Sequence, residues 1–279
     1  MNPAVPAPRT RSLAPSAAVL QAPPQWRTLD FISDLHLQAS EPATFEAWQA
    51  YMQTTRADAV FILGDLFEVW VGDDVADLDQ ACSFEARCAQ VLKSASQRLG
   101  LFFIHGNRDF LLGPAFATAC GMTVLDDPTI LDFGGERWLL SHGDELCLND
   151  VDYLQFRAQV RSAPWQQDFL AKPLPERQAI ARSLRLQSQA HQRSGASYAD
   201  VDAHAACDWL QTAQAHTLIH GHTHQPADHA LSNDFRRIVL SDWDATTTPP
   251  RAEVVRLQLE SDVPAKSITA QRLAVTQAA

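Results

Sequence analysis

Short apolar runs recur along the chain, and most end in Gly, Asp or His. Thr28–Ser33, Ala59–Leu63, Leu101–His105, Thr129–Phe133, Arg137–Ser141, Thr217–His220, Arg237–Leu240 and Val254–Leu259 have strand length and are mostly rich in β-branched or aromatic residues. Between the early runs, apolar positions recur at helical spacing over Pro42–Thr55, Ala81–Leu99 and Pro114–Ala119. Strand–helix–strand alternation predicts an α/β core with parallel strands. Gly134-Gly135, set between two strand-like runs, predicts a hairpin and so an antiparallel portion of sheet. Residues 150–200 break the rhythm. Strand signals vanish there, and the stretch reads as helical, punctuated by Pro164, Pro173 and Pro175.

Charge sharpens that division. The 279-residue chain carries a net charge of −11, which speaks against a general nucleic-acid binder. The helical stretch is nevertheless basic, with Arg157, Arg161, Lys172, Arg177, Arg182, Arg185 and Arg193. No apolar run is long enough to span a bilayer. Cysteines 82, 88, 120, 147 and 207 are scattered and never form C-x-x-C, so reduced, core-filling thiols of a cytosolic protein are expected. Residues 1–25 hold six of the 16 prolines, and the apolar run Ala17–Leu20 is too short for a signal peptide. A disordered extension is expected there, and a flexible tail over 260–279.

Polar residues cluster just after the apolar runs. "FISDLHL" supplies Asp34 and His36, "FILGDLFE" Asp65 and Glu68, and "FFIHGNRD" Asn107, Arg108 and Asp109. "WLLSHGDE" supplies His142 and Asp144, and "TLIHGHTHQP" His222 and His224. Each residue alone would read as a cap, a turn residue or a core histidine. Their recurrence at five strand ends argues for a site, because ligands of α/β sheets bind at the carboxyl ends of strands. The i, i+2 pairs Asp34/His36 and His222/His224 can each aim two groups to one side. Carboxylate, amide and imidazole donors suit Mn²⁺, Fe²⁺ or Zn²⁺. Cysteine is absent from the set, which argues against structural zinc. The donors exceed what one ion needs, so two ions sharing a carboxylate are expected, an arrangement that serves phosphate ester and anhydride hydrolysis.

In that order, D-x-H, G-D, G-N-x-D, H-G and G-H-x-H resemble the calcineurin-like metallophosphoesterases. The resemblance implies an α/β fold, a four-layer α/β/β/α sandwich with a helical cap inserted. It implies that Asp34, His36, Asp65 and His224 hold one ion. Asp65, Asn107, His142 and His222 would hold the other, with Asp65 bridging. "LGDLFEVWVGDD", "FIHGNRDFLLG", "SHGDELCLND" and "LIHGHTHQP" resemble one branch, the UDP-2,3-diacylglucosamine pyrophosphohydrolases of lipid A biosynthesis. That branch implies attack by metal-activated water at the α-phosphorus, giving UMP and 2,3-diacylglucosamine 1-phosphate. It further implies two Mn²⁺ ions, a lipid-linked UDP-sugar substrate, and a peripheral place on the cytoplasmic face of the inner membrane. No obligate protein partner is expected.

The implied organisation is a core over 26–149 and 201–259 with a lipid-binding cap over 150–200. Trp165, Phe169, Leu170, Leu174, Ile180 and Leu184 are expected to line an acyl groove. By the same resemblance, Asp65, Asn107, Arg108 and His142 are the catalytic set. Substrate contacts fall to Asn107, Arg108, Asp150, Ser188, Gln192 and His222. A cap lysine of the family is replaced by Gly195, and Arg193 is a candidate to supply its charge. Where the wider superfamily commonly has a histidine, this chain has Arg108, a permanent cation better suited to a diphosphate than to protonating an alkoxide. Two other readings stay open: a metallophosphoesterase for soluble nucleotides or phosphodiesters, and a metal-free scaffold.

Overall fold

The computed structural model describes residues 16–76, 83–193, 199–260 and 267–278, with the side chains of 186–193 outside the description. Among the described residues, twelve strands form two sheets. The first runs β12 (Ser267–Ala274), β11 (Glu253–Glu260), β2 (Thr28–Ile32), β3 (Ala59–Leu63), β4 (Gly100–Ile104), β5 (Thr123–Leu125). The second runs β1 (Ala18–Gln21), β6 (Thr129–Phe133), β7 (Glu136–Ser141), β8 (Thr217–His220), β10 (Arg236–Val239), β9 (Ala227–Ala230). Strands β2 to β5 are parallel, as the strand–helix alternation requires. The β6–β7 hairpin is antiparallel and turns through Gly134 and Gly135, both at positive φ.

Period-two alternation divides the strands' side chains between layers. Leu29, Phe31, Phe61, Leu63 and Ile104 meet Leu131, Phe133, Trp138, Leu140 and Ile219 between the sheets. Ile32, Val60, Ile62, Leu101 and Phe103 point the other way, onto helices α1 (Pro42–Thr54), α2 (Phe84–Ser96) and α3 (Pro114–Cys120). Ile130, Leu139 and Leu218 face α7 (Ala203–Ala213). The result is the expected α/β/β/α sandwich. The helices start where local chemistry allows. Ser83 caps α2 by accepting from the Ala86 N–H (3.0 Å), and Asp202 caps α7 through the N–H groups of His204 and Ala205 (both 2.9 Å).

Two expectations about the ends are corrected. Within the extension expected over 1–25, residues 18–21 form β1, parallel to β6, and Leu20, Ala22 and Trp26 pack on the inter-sheet core. Residues 1–15 lie outside the described part. Within the tail expected to be flexible, β12 pairs along the whole of β11, and Ala278 is buried. The Ala278 carbonyl accepts from Arg256 (2.6 Å), whose guanidinium also grips buried Asp30 (2.7 and 2.9 Å). Both ends add edge strands whose alternation is too short or too polar to stand out in sequence.

The insert is helical, as expected: α4 (Val151–Val160), α5 (Ala163–Leu170) and α6 (Leu174–Arg193). Its apolar side chains divide. Phe169 is buried, and Trp165, Leu174 and Ile180 pack against the same core that α1–α3 cover. They serve as seating for the cap rather than as an open groove. Leu170 and Leu184 stay exposed, with Val151, Phe156 and Val69. Buried Arg177 fastens α6 to the loop after β3 by donating to the Val71 carbonyl and to Asp74, and to the Lys172 carbonyl at 3.0 Å.

Candidate metal centre

The loops after β2, β3, β4, β7 and β8 meet at one edge of the sandwich. Backbone hydrogen bonds lace them together. The Asp34 N–H donates to Gly64 (3.1 Å), His36 to Asp65 (3.0 Å), Gly221 to His142 (3.1 Å) and Trp243 to Asp34 (3.0 Å). Within this lacing Asp34, His36, Asp65, His222 and His224 have φ of 53°, 48°, 53°, 69° and 52°. Left-handed backbone costs a non-glycine residue roughly 1–2 kcal/mol. Five such residues in one small volume mark a site whose geometry is imposed by its surroundings. Gly106 permits the closest approach, since a Cβ there would collide with the Asp65 carboxylate.

All seven expected ligands are brought together. On one side, His36 Nε2 and His224 Nε2 face each other at 3.2 Å, and His224 Nε2 lies 3.3 Å from Asp34 Oδ1. On the other, Asn107 Oδ1 sits 2.9 Å from both His142 Nε2 and His222 Nδ1. Asp65 lies between, with Oδ2 4.0 Å from His36 Nε2 and Oδ1 3.8 Å from His142 Nε2. One carboxylate oxygen is thus offered to each side. Donor atoms of Asp34, His36 and His224, and of Asp34, Asp65 and His142, form two groups within 4.8 Å.

The donor chemistry fits cations. His142 Nδ1 lies 2.9 Å from the Leu63 carbonyl, which accepts from it, so Nε2 is the nitrogen turned toward the Asn107 oxygen. Imidazole nitrogens, carboxylate oxygens and the Asn107 amide oxygen converge here, the donor set that a divalent transition-metal ion takes. Titration follows the same crowding. Burial works against the Asp34 carboxylate, but the His224 hydrogen bond and the charges of His224, His142 and His36 outweigh it and hold its pKa below the usual range. Burial and the neighbouring His142 push His222 down to about 4, so its imidazole is neutral and free to ligate.

A supporting layer holds these groups. The buried Asp109 carboxylate accepts from the N–H groups of Leu66 (2.7 Å), Gly106 (2.9 Å), Asp65 (3.3 Å) and Phe67 (3.4 Å). It fixes the Asp65 loop against the Asn107 loop. Burial and the Asp65 charge raise its pKa to about 7. Buried Asp144 accepts from Tyr153 Oη (2.5 Å) and Arg157 Nε (2.9 Å) of α4, and Arg161 donates to the Gly106 carbonyl (2.9 Å). The sequence placed Asp109 and Asp144 in the right motifs without a role, because their partners lie on other loops. Tyr153 stacks on His222 at 5.8 Å.

The remaining expected residues are placed unevenly. Arg108 lies at the centre, its N–H donating to Asp65 Oδ1 (2.8 Å) and its guanidinium 4.0 Å from Glu68. Asp150 caps α4 through the Tyr153 N–H (3.1 Å), so it acts at the cap's first turn. Ser188 and Gln192 fall on α6 with side chains outside the described residues, as does that of Arg193, and Gly195 lies outside altogether.

The calcineurin-like phosphoesterase profile matches residues 27–226. The UDP-2,3-diacylglucosamine hydrolase of Shewanella pealeana is 44% identical over 221 residues, covering 78% of this chain and 90% of that protein. That of Chromobacterium violaceum is 46% identical over 224 residues, covering 77% and 90%. Among solved structures, the zinc complex of Vps29 from Entamoeba histolytica aligns with a TM-score of 0.42 at 14% identity, covering 89% of this chain and 99% of that one.

Proposed function

The chain belongs to the calcineurin-like phosphoesterase family, and from that premise we propose that it hydrolyses the pyrophosphate bond of UDP-2,3-diacylglucosamine. Water adds at the α-phosphorus, the anhydride bond to the sugar phosphate breaks, and UMP and 2,3-diacylglucosamine 1-phosphate leave. The observation that carries this reading is the extent of the match. An alignment covering 78% of 279 residues must span the cap as well as the core. The function so read belongs to lipid A biosynthesis.

We assign Asp34, His36, Asp65 and His224 to one divalent ion and Asp65, Asn107, His142 and His222 to a second, with Mn²⁺ the metal that this oxygen and imidazole set suits. Bound there, such ions supply Lewis acidity toward phosphoryl oxygens and a water nucleophile at neutral pH. The chain's own groups do the rest. Arg108, permanently cationic, holds the diphosphate as negative charge develops. The departing sugar phosphate has a second pKa of about 6, so it needs no strong proton donor. Tyr153 and Asp144 hold the start of the cap against the centre. Asp150, Ser188 and Gln192 are assigned to substrate by resemblance alone.

Exposed Val151, Phe156, Leu170 and Leu184, with Arg182 also exposed, give the cap an apolar and basic outer face. That face supports acyl-chain binding and a peripheral seat on the cytoplasmic side of the inner membrane, where each cation contributes on the order of 1 kcal/mol. The test is an assay with Mn²⁺ and UDP-2,3-diacylglucosamine in ¹⁸O-water, read by mass spectrometry. Label in UMP, with unlabelled sugar phosphate, is expected. Label in the sugar phosphate would overturn α-attack, and failure to cleave the substrate would overturn the assignment.

A further inference from the structure

The two metal-site histidines with a described partner on their second ring nitrogen are held differently. His142 is held by backbone, the Leu63 carbonyl at the end of β3 (2.9 Å). His36 instead turns Nδ1 toward a side chain, Glu68 Oε2, at 3.0 Å. The other Glu68 oxygen faces guanidinium groups: Arg185 Nε at 3.0 Å and Arg108 Nη1 at 4.0 Å. Arg185 belongs to α6 of the cap. Glu68 is itself nearly buried, at 9% exposure, and its N–H donates to the Leu37 carbonyl (3.2 Å), which ties its loop to the one bearing His36.

We infer that Glu68 is a positioning residue that couples the seating of the cap to the affinity of the Asp34–His36–His224 ion site. The inference rests on the reading of His36 as a metal ligand. A carboxylate on the outer nitrogen of an imidazole fixes its tautomer and orientation and makes the inner nitrogen a better donor. Glu68 lies at ion-pair distance to supply that hold, and Arg185 faces the carboxylate from the opposite side at the same distance. Displacement of α6 removes that contact, so Glu68 can rotate away from His36 and the ion site weakens. Linkage makes the effect reciprocal: a filled ion site favours a seated cap. His142, braced by backbone, is insulated from the cap.

The test is calorimetric titration of Mn²⁺ into the metal-stripped full chain, with thermal melts in chelator confirming that each variant is folded. Glu68→Ala should weaken one of the two sites by about 10- to 100-fold, the usual cost of losing a ligand's outer partner. Arg185→Ala should weaken the same site by roughly fivefold, at the low end of measured couplings, and Arg185→Lys should restore part of the loss. Adding Arg185→Ala to Glu68→Gln should cost little more than Glu68→Gln alone, because Arg185 has lost its carboxylate. Unchanged affinity in Arg185→Ala, or fully additive losses, would overturn the coupling while leaving the site itself intact. Wild-type Mn²⁺ binding by His36→Ala would instead overturn the ligand reading on which the inference stands.

Discussion

The metal centre and the cap solve the problem of placing side chains in opposite ways. At the centre, five residues in left-handed backbone are locked by loop-to-loop hydrogen bonds and by one buried carboxylate, Asp109. Strain is tolerated there because the surroundings over-determine it. The cap is ordinary helix, seated by a few aromatic contacts and by arginines: Arg157 and Arg161 near Asp144, Arg177 on Asp74, Arg185 on Glu68. Beside the aromatic contacts, these seats are ion pairs and hydrogen bonds made by single side chains, not a lacing of backbone. The difference teaches where rigidity is needed. Ligand geometry must hold to tenths of an ångström, whereas on the proposed function a cap that admits a two-chained lipid must let go.

The comparison is broken most severely from the centre. Asp65→Ala removes the one carboxylate that faces both sides, so Mn²⁺-dependent turnover should fall by more than about 100-fold, the upper range for losing only an outer partner of a ligand. Steady-state assays with metal analysis measure this, and near-normal turnover would exclude a shared bridging role. Asp109→Ala should act through stability as well as rate. It strands N–H groups of Leu66 and Gly106 at about 1–3 kcal/mol per buried donor, read as a lower urea midpoint at unchanged slope. Arg108→His comes next. Diphosphate hydrolysis should drop by about 100-fold with metal content intact, the scale for one charge-stabilising donor. Equal turnover would mean that the permanent cation is not what the diphosphate needs.

The cap should respond in a different currency. Arg177→Ala frees α6 from the Val71 carbonyl and Asp74, leaving every metal-site donor untouched. Its KM for the diacylated substrate should rise by about tenfold, a 1.4 kcal/mol loss of binding, with kcat little changed. At saturating Mn²⁺, where a weakened ion site is still filled, hydrolysis of a small aryl phosphodiester, which does not need the cap, should be unaffected. Should both substrates suffer alike, the cap and the centre are one rigid unit and the contrast drawn above is wrong.

How far sequence reaches follows the same division. The central strands and α1–α3 were legible because burial imposes period two on strands and period 3.6 on helices, as in Phe61 and Val60 pointing to opposite layers. The convergence of the candidate ligands was legible because the chemistry restricts residue type at strand ends. Asp109 and Glu68 were visible as letters but not as roles. Their partners, the Gly106 N–H and Arg185 Nε, are set by loop packing and by a cap far along the chain. The acyl-groove residues were misread in part because an apolar stripe looks the same whether it seats a helix or greets a lipid. Trp165 and Phe169, stacked at 4.8 Å, proved to be seating.

The chain's first residues give the smallest and most discriminating test. Strand β1 covers the edge of β6 and sets Leu20 on the inter-sheet core, while the Ala22 N–H continues the pairing to the Asp132 carbonyl (2.9 Å). None of it touches the strand-end loops that carry the ligands. Deleting residues 1–24 removes β1 and exposes the Leu20 contact, worth about 1.5–3 kcal/mol if the side chain were fully buried and less for one that is partly so. The melting temperature should fall by a few degrees. Turnover at 25 °C should stay near wild type, because the metal loops are braced from β2, β3, β4, β7 and β8 rather than from the sheet edge. A loss of turnover matching the loss of stability would show that the centre draws its rigidity from the whole sandwich, not from the local lacing of its loops.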